Sequence, residues 1–319
     1  MTAIQPATLV ARPAAKVNLT LEVGPREANG YHRLRSVFLR LGLADRLAVS
    51  VGRTGVDDTL SVDGPPECRV EGNLVLKAVD LLRRRVGQSL PPLVVALEKQ
   101  IPIGAGLGGG SSDAAAMLAL AEVSWGVRAS AAERLELAHR LGSDVPFFAT
   151  DAPAALVEGR GEAVTPLPGV VGGAGLLIAI SRASMETGRV FARHDELASD
   201  EMSRRAVSPT DELAAAFRSG LDGRGLAAWA PQLREANDLW AAATSLAPSI
   251  ARLRLELEKV TGQAWLLTGS GSALLAIYPS SVEAVDAGRG LAGALPAEFH
   301  DCQLVADDLL TPDPPWRYP

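Results

Sequence analysis

Between Pro102 and Asp113 the chain reads Pro-Ile-Gly-Ala-Gly-Leu-Gly-Gly-Gly-Ser-Ser-Asp, and an alanine-rich run follows at once. Gly104, Gly106, Gly108, Gly109 and Gly110 are interleaved only with Ala105 and Leu107. Without Cβ atoms nothing holds an anion away from the backbone, and free φ angles let successive N–H groups converge on one point. Ser111, Ser112 and Asp113 offer N-cap chemistry for the helix that the alanines predict over about 112–124. A helix N-terminus adds unpaired donors and a partial positive charge. Together Pro102, Ile103 and the residues through Ser112 describe a phosphate cradle.

Two commoner cradles fit less well. A P-loop needs a lysine after its last glycine, and none is present. Gly104, Gly106 and Gly109 have dinucleotide-fingerprint spacing. However, polar Glu98, Lys99 and Gln100, then Pro102, separate the preceding strand from the loop, and a second capping signal rather than a strand follows the helix. A plain turn before a helix would need fewer glycines.

The rest of the chain sets the frame. With 319 residues, 47% of them apolar, there is room for two packed domains. A net charge of −6 and a pI near 5.4 argue against a broad basic surface for nucleic acid or anionic lipid. Cys68 and Cys302 form no C-x-x-C and the four histidines are scattered, so no disulfide framework or zinc site is signalled and a cytoplasmic setting is expected. Met1 to Arg12 lacks a signal-peptide pattern. The uncharged run 165–181 is too broken by proline and glycine for a spanning helix of roughly 20 residues, so no membrane partner is expected.

Alternation from Lys16 to Val23 predicts a half-buried strand, with Val17, Leu19, Leu21 and Val23 inward and Lys16, Asn18, Thr20 and Glu22 outward. Asn29-Gly30 marks a hairpin leading into strands over 31–43 and 46–51. Asn73 caps a predicted helix that stops at Gly87, and 93–97 reads as a strand into the loop. Ser130 with Glu133 makes a capping box for a helix ending near Leu141. A strand over 155–158 precedes a Pro- and Gly-rich boundary at 166–175. Beyond it we expect a strand over 176–180 and helices over 211–218, 236–246 and 248–260. Strands over 264–267 and 274–278, a helix over 281–295 and a strand over 302–305 complete the pattern, before a loose tail from Thr311. Strands and helices mix in both halves, so the class is α+β.

Several residues carry candidate chemistry. Lys16 and Asn18 share a strand face, and a solvated sheet edge is the commoner reason for such a pair. A cradle without its own lysine nevertheless needs a cation from elsewhere when phosphoryl charge develops. Asp144, in Leu141-Gly-Ser-Asp-Val-Pro-Phe, reads either as an N-cap or as a carboxylate that takes the proton of an attacking hydroxyl. Thr268-Gly-Ser-Gly-Ser272 reads equally as a hairpin turn or a ligand contact. Tyr31 and His32 follow the hairpin turn, as surface packing or as a platform for a planar base.

As a set these segments resemble the GHMP kinase superfamily. The resemblance runs over about residues 8–308. Its carriers are Pro13 to Leu19, Gly30-Tyr31-His32, Asn73-Leu74-Val75, Gly108 to Ala115, Gly142 to Phe147, Gly159-Arg160-Gly161-Glu162, Asn237-Asp238-Leu239 and the late glycine turn. Within the superfamily the motifs are similar to those of the branch that uses ATP to phosphorylate the 2-hydroxyl of 4-diphosphocytidyl-2-C-methyl-D-erythritol, a step in isoprenoid precursor synthesis. The resemblance implies a two-domain fold: an N-terminal mixed-sheet domain with helices over 1–167, a C-terminal ferredoxin-like α+β domain over 168–308, and a tail over 309–319.

It also implies that Asp144 is the catalytic base with Lys16 beside it, and that Asn18 holds the polyol. Pro102 to Ser112 would wrap the phosphates of ATP. Mg²⁺ would accompany ATP, with Ser111 or Ser112 as a hydroxyl ligand. Tyr31 and His32 match the cytidine pair, with Thr187 and Phe191 as further substrate contacts in a segment that lacks the usual proline after the threonine. Asn73 and Lys99 fall near the adenosine end, Asn73 being equally explained as a helix cap. A small-molecule partner and a monomer or weak homodimer are expected. Other readings are a different GHMP-type kinase, an ATP-dependent decarboxylase, or a non-catalytic ligand sensor on the same fold.

Overall fold

The computed structural model describes residues 8–87, 89–183, 185–197 and 208–309, so the expected loose tail from Thr311 lies outside the described residues. In chain order the first half runs β1 (Leu9–Ala11), β2 (Ala14–Asn18), β3 (Glu22–Arg26), β4 (His32–Ala44), β5 (Arg46–Val51), β6 (Thr59–Asp63), α1 (Leu74–Val86) and β7 (Leu93–Glu98). It continues with α2 (Gly109–Trp125), α3 (Ala131–Leu141), α4 (Val145–Phe148), β8 (Ala154–Gly159) and β9 (Ala163–Leu167). The second half runs β10 (Gly175–Ile180), α5 (Thr187–Leu197), α6 (Pro209–Arg218), α7 (Gly223–Leu233), α8 (Trp240–Leu246), α9 (Pro248–Thr261), β11 (Leu266–Leu267), β12 (Ala273–Tyr278), α10 (Ser281–Leu291) and β13 (Gln303–Asp308).

The described residues form three sheets. The first has the order β1-β5-β7-β6 and is mixed, since β6 alone runs parallel to its neighbour β7. The second has the order β2-β4-β8-β9, with β3 also paired to β4, and is antiparallel. The third, β11-β12-β10-β13, is antiparallel and lies wholly in the second half. The fold is α+β, as the mixed pattern of strands and helices implied.

Caps fix the helices of the first half where the sequence predicts them. The Asn73 side chain accepts from Val75 N, and α1 stops at Gly87 with φ +67°. Ser130 and Glu133 close the capping box of α3. α1 and α2 share one apolar cluster with Leu47, Val49, Val95 and Leu97 of the first sheet. On its other side α2 offers Ala115 to Phe147, Phe148 and Phe38. Buried along most of its length, α2 behaves as a core helix, and its alanines let neighbours approach closely. A second cluster joins Val17, Val37 and Leu39 of the second sheet to Ile178, Leu275 and Ile277 of the third, with α6 and α7 contributing Leu213, Phe217, Leu226 and Leu233.

The structure corrects several expectations. The strand read from 16 to 23 is two, β2 and β3, and its polar face is not open to solvent: Lys16, Asn18 and Thr20 are all buried. α2 begins at Gly109 rather than near Ser112. Gly108, at φ +73°, occupies the N-cap without a side-chain cap bond, and Ser112 N already bonds Gly108 O at 2.9 Å. Ser111, Ser112 and Asp113 therefore lie inside the first turns rather than capping them. Pro166 belongs to β9, an edge strand where its missing N–H costs no ladder bond, and not to the boundary segment. The sequence pattern gives no sign of β1, β6 or β9 or of helices α4, α5 and α7. α7 contains Pro231 and opens on Gly223 and Gly225, and α5 carries Gly188 in its first turn; both compositions score poorly as helix. α8 starts at Trp240, β11 holds only two residues, and α10 ends at Leu291.

Candidate active site

Lys16 is buried because two distant segments close over the polar face of β2. Lys16 N donates to Leu107 O in the glycine loop at 2.9 Å, and Asn18 N donates to Thr268 Oγ1 in the late glycine turn at 2.8 Å. The loop and the turn also meet each other: a Cβ on Gly106 would stand 3.2 Å from the Thr268 carbonyl oxygen. At Gly108 a Cβ would stand 3.0 Å from both Lys16 Cγ and the Phe148 ring. Glycine is required there both for the left-handed φ and for the approach of the loop to Lys16.

The Lys16 ammonium is held on several sides. Nζ donates to Asn18 Oδ1 at 2.7 Å, stands 3.3 Å from Asp144 Oδ2, and lies 4.7 Å from the Phe38 ring centroid. Asn18 Nδ2 donates to Ser36 Oγ at 2.9 Å, and Ser36 Oγ in turn donates to Thr20 O. Asn18 is thus locked with its oxygen toward the lysine.

Asp144 sits at the N-cap of α4, yet its side chain makes no cap bond. Its carboxylate, 31% exposed, is left to face Lys16 and open space. The N-cap reading therefore holds for backbone position but not for the side chain.

Two cavities meet beside this pair. One, of about 610 Å³, is lined by Lys16, Asn18, Tyr31, His32, Asp144, Thr187 and Phe191 together. The other, of about 560 Å³, is lined by Asn73, Lys99 and every residue from Ile101 to Ser111. Gly106, Gly108 and Ser111 border both. Ser112 borders neither and is buried in α2, which leaves Ser111 as the hydroxyl with access.

At the far end of the first cavity the His32 and Phe191 rings stack, with centroids 5.4 Å apart and planes inclined by 30°. His32 Nδ1 lies 2.8 Å from Gly24 O and Nε2 lies 3.1 Å from Asp195 Oδ1. Thr187 Oγ1 contacts Ser270 Oγ of the glycine turn at 3.1 Å. Tyr31 is exposed at the rim, with the Arg160 guanidinium 3.8 Å from its ring centroid. Sequence reasoning missed Asp195 and gave Arg160 no role. Thr187, Phe191 and Asp195 recur every four residues, which puts them on one face of α5. That spacing was a readable signal once a helix was recognised there.

The two residues assigned to the adenosine end are both engaged by the protein. Asn73 caps α1 and also donates to Arg69 O at 3.2 Å. Lys99 pairs with Asp45 and, at 2.8 Å, with Asp113. Asp45 Oδ1 further accepts from Gln100 N at 2.6 Å and Ile101 N at 2.8 Å, so this buried triad clamps the start of the loop. Burial works against the Lys99 charge, but attraction by Asp113 and Asp45 outweighs it and raises the pKa. Asp113 is pushed up to about 7, chiefly by burial, with Lys99 opposing and Asp45 adding to the rise.

The chain is similar to known proteins. Residues 73–156 match the GHMP kinases N terminal domain. A 4-diphosphocytidyl-2-C-methyl-D-erythritol kinase of Symbiobacterium thermophilum is 38% identical over 265 residues, covering 83% of this chain and 89% of its own. The enzyme of the same name from Mycolicibacterium gilvum is 37% identical over 296 residues, covering 90% and 87%. A crystal structure of a 4-(cytidine 5'-diphospho)-2C-methyl-D-erythritol kinase superposes with a TM-score of 0.72 at 28% identity, covering 94% of this chain and 98% of that one. Homoserine kinase from Cytophaga hutchinsonii, at 15% identity and a TM-score of 0.69, shares the fold. With relatives this similar over nearly their whole length, the chain belongs to the 4-diphosphocytidyl-2-C-methyl-D-erythritol kinase family of GHMP kinases.

Proposed function

We propose that the chain transfers the γ-phosphoryl group of ATP to the 2-hydroxyl of 4-diphosphocytidyl-2-C-methyl-D-erythritol. The observation that carries this reading is the Lys16–Asp144 pair at the junction of two cavities, one bordered by a glycine cradle and the other by a stacked aromatic pair. The cradle suits a triphosphate, and the stacked His32 and Phe191 rings, with Tyr31 at the rim, offer a platform suited to a cytosine. Asn18 and Thr187 border the space between and are fitted to hold the polyol.

In this scheme Asp144 takes the hydroxyl proton as the oxygen attacks phosphorus, and Lys16 offsets the charge that grows on the transferred group. The loop amides and the start of α2 hold the phosphates. Mg²⁺ bound with ATP would neutralise phosphate charge; the Ser111 hydroxyl is the side-chain oxygen fitted to reach it, and magnesium takes its other ligands readily from phosphates and water. Asn73 and Lys99 border the nucleotide cavity, Lys99 through the clamp beneath the loop.

The same reading divides the chain near residue 167 into an N-terminal catalytic domain and a C-terminal domain to about 308. It casts the enzyme as a cytoplasmic monomer or weak homodimer acting on a small molecule. Among the described residues, no helix is long and apolar enough to cross a membrane. The test is ADP release with the diphosphocytidyl substrate against homoserine, mevalonate and galactose. Turnover of one of the other alcohols in preference would overturn the assignment.

A further inference from the structure

The turn Gly159-Arg160-Gly161-Glu162 has no part in the scheme above, yet Arg160 lines the substrate cavity. Its backbone is tightly built. Gly159 and Gly161 have φ of +74° and +105°. A Cβ on Gly161 would collide with the carbonyl oxygen of Ser143, the neighbour of Asp144. The Glu162 carboxylate accepts from Arg160 N at 2.5 Å. Two glycines and the glutamate thus fasten the turn against the Asp144 segment and leave the Arg160 side chain to serve the cavity.

That side chain is unusual in its company. Of the Lys and Arg residues lining the cavity, Lys16 is paired with Asp144 and Arg26 with Asp195, whereas Arg160 makes no ion pair with any described residue. Glu27 feels its field but is engaged by Arg33 and Asn29. The Arg160 Nε is buried without a hydrogen-bond partner among the described residues, and the guanidinium lies over the Tyr31 ring. A stacked cation with no ion-pair partner among the described residues therefore lines the cavity that also holds Asp144 and the His32–Phe191 pair.

We propose that Arg160 binds the diphosphate that links nucleoside to polyol, an inference that rests on the functional reading above. A guanidinium meets phosphate oxygens with paired N–H donors, and stacking on Tyr31 holds its plane before the ligand arrives, so little freedom is lost on binding.

Calorimetry on the full chain with cytidine and with cytidine 5'-diphosphate tests this. The wild-type protein should bind the diphosphate about tenfold or more tightly than the nucleoside, the scale of one or two charge-assisted hydrogen bonds. Arg160→Gln should keep its affinity for cytidine, which also reports an intact fold, and lose most of the preference. Arg160→Lys should recover part of it by charge alone. If Arg160→Gln keeps the full preference, Arg160 is not the diphosphate receptor, and the functional reading stands without it. If the wild-type protein binds neither compound, the functional reading fails and this assignment fails with it.

Discussion

The ammonium of Lys16 and the carboxylate of Asp144 lie 3.3 Å apart, although one sits mid-strand in β2 and the other at the mouth of a four-residue helix. Asn18 and Phe38 hold the lysine, and the absence of a cap bond frees the aspartate. The pair is assembled by tertiary contacts, and it stands where the two cavities join.

Asp144→Ala and Lys16→Met should each lower kcat by at least roughly 100-fold, the scale of a general base or of one electrostatic group. Near-normal turnover in Asp144→Ala, with the variant shown folded by its melting curve, would remove Asp144 from the proton-accepting role.

Gly108→Ala should damage both activity and stability. The added methyl meets Lys16 Cγ and the Phe148 ring at 3.0 Å while the backbone is held at φ +73°. Left-handed strain alone costs roughly 1–2 kcal/mol for a residue with a Cβ. Gly126→Ala has a similar φ of +64° but nothing within 4 Å of the new Cβ, so it supplies the control for strain without contact. If both variants melt alike and turn over alike, the close approach to Lys16 has no functional weight.

Much of this site is legible in the sequence, because the glycine loop and the Asn73 and Ser130 caps act through local backbone chemistry. Lys16 and Asp144 are legible as candidates but not as partners: alternation shows that Lys16 shares a strand face with Asn18, and cannot show that Leu107 and Thr268 cover that face. The same limit explains the half-buried strand that proves buried on both sides. The start of α2 is misjudged because serine and aspartate outrank glycine as side-chain caps, whereas here the left-handed Gly108 begins the helix without one. Asp195 escapes notice since the charged composition of α5 and its early glycine hide a helix whose cavity face is set by packing.

Asn237→Ala should loosen the late glycine turn. The Asn237 amide donates to Leu267 O and Gly269 O, each at 2.9 Å, and its oxygen accepts from Leu239 N at 3.0 Å. Losing three largely buried hydrogen bonds at about 1 kcal/mol each predicts a loss of about 3 kcal/mol. Because the turn abuts Gly106, the KM for ATP should rise as well. A lowered melting temperature with an unchanged KM would show that the turn is structural only.

The buried triad of Asp45, Lys99 and Asp113 predicts a pH dependence of folding with a definite sign. One ammonium faces two carboxylates, and Asp113 Oδ1 is buried with no hydrogen-bond partner among the described residues. Burial, reinforced by Asp45 and opposed by Lys99, raises the Asp113 pKa from 3.8 to about 7. The folded chain therefore binds more protons than the unfolded chain between these values. Stability from this group is fully present below the unfolded pKa and is lost as pH rises through the folded one. Asp113→Asn keeps an oxygen for Lys99 but cannot ionise, so it should remove this contribution. Denaturant melts of both proteins, taken at intervals from pH 4 to 8, should show the wild-type stability falling relative to the variant across that window and levelling above it. Parallel curves would mean that Asp113 is already ionised in the folded protein throughout, and that Lys99 compensates both carboxylates.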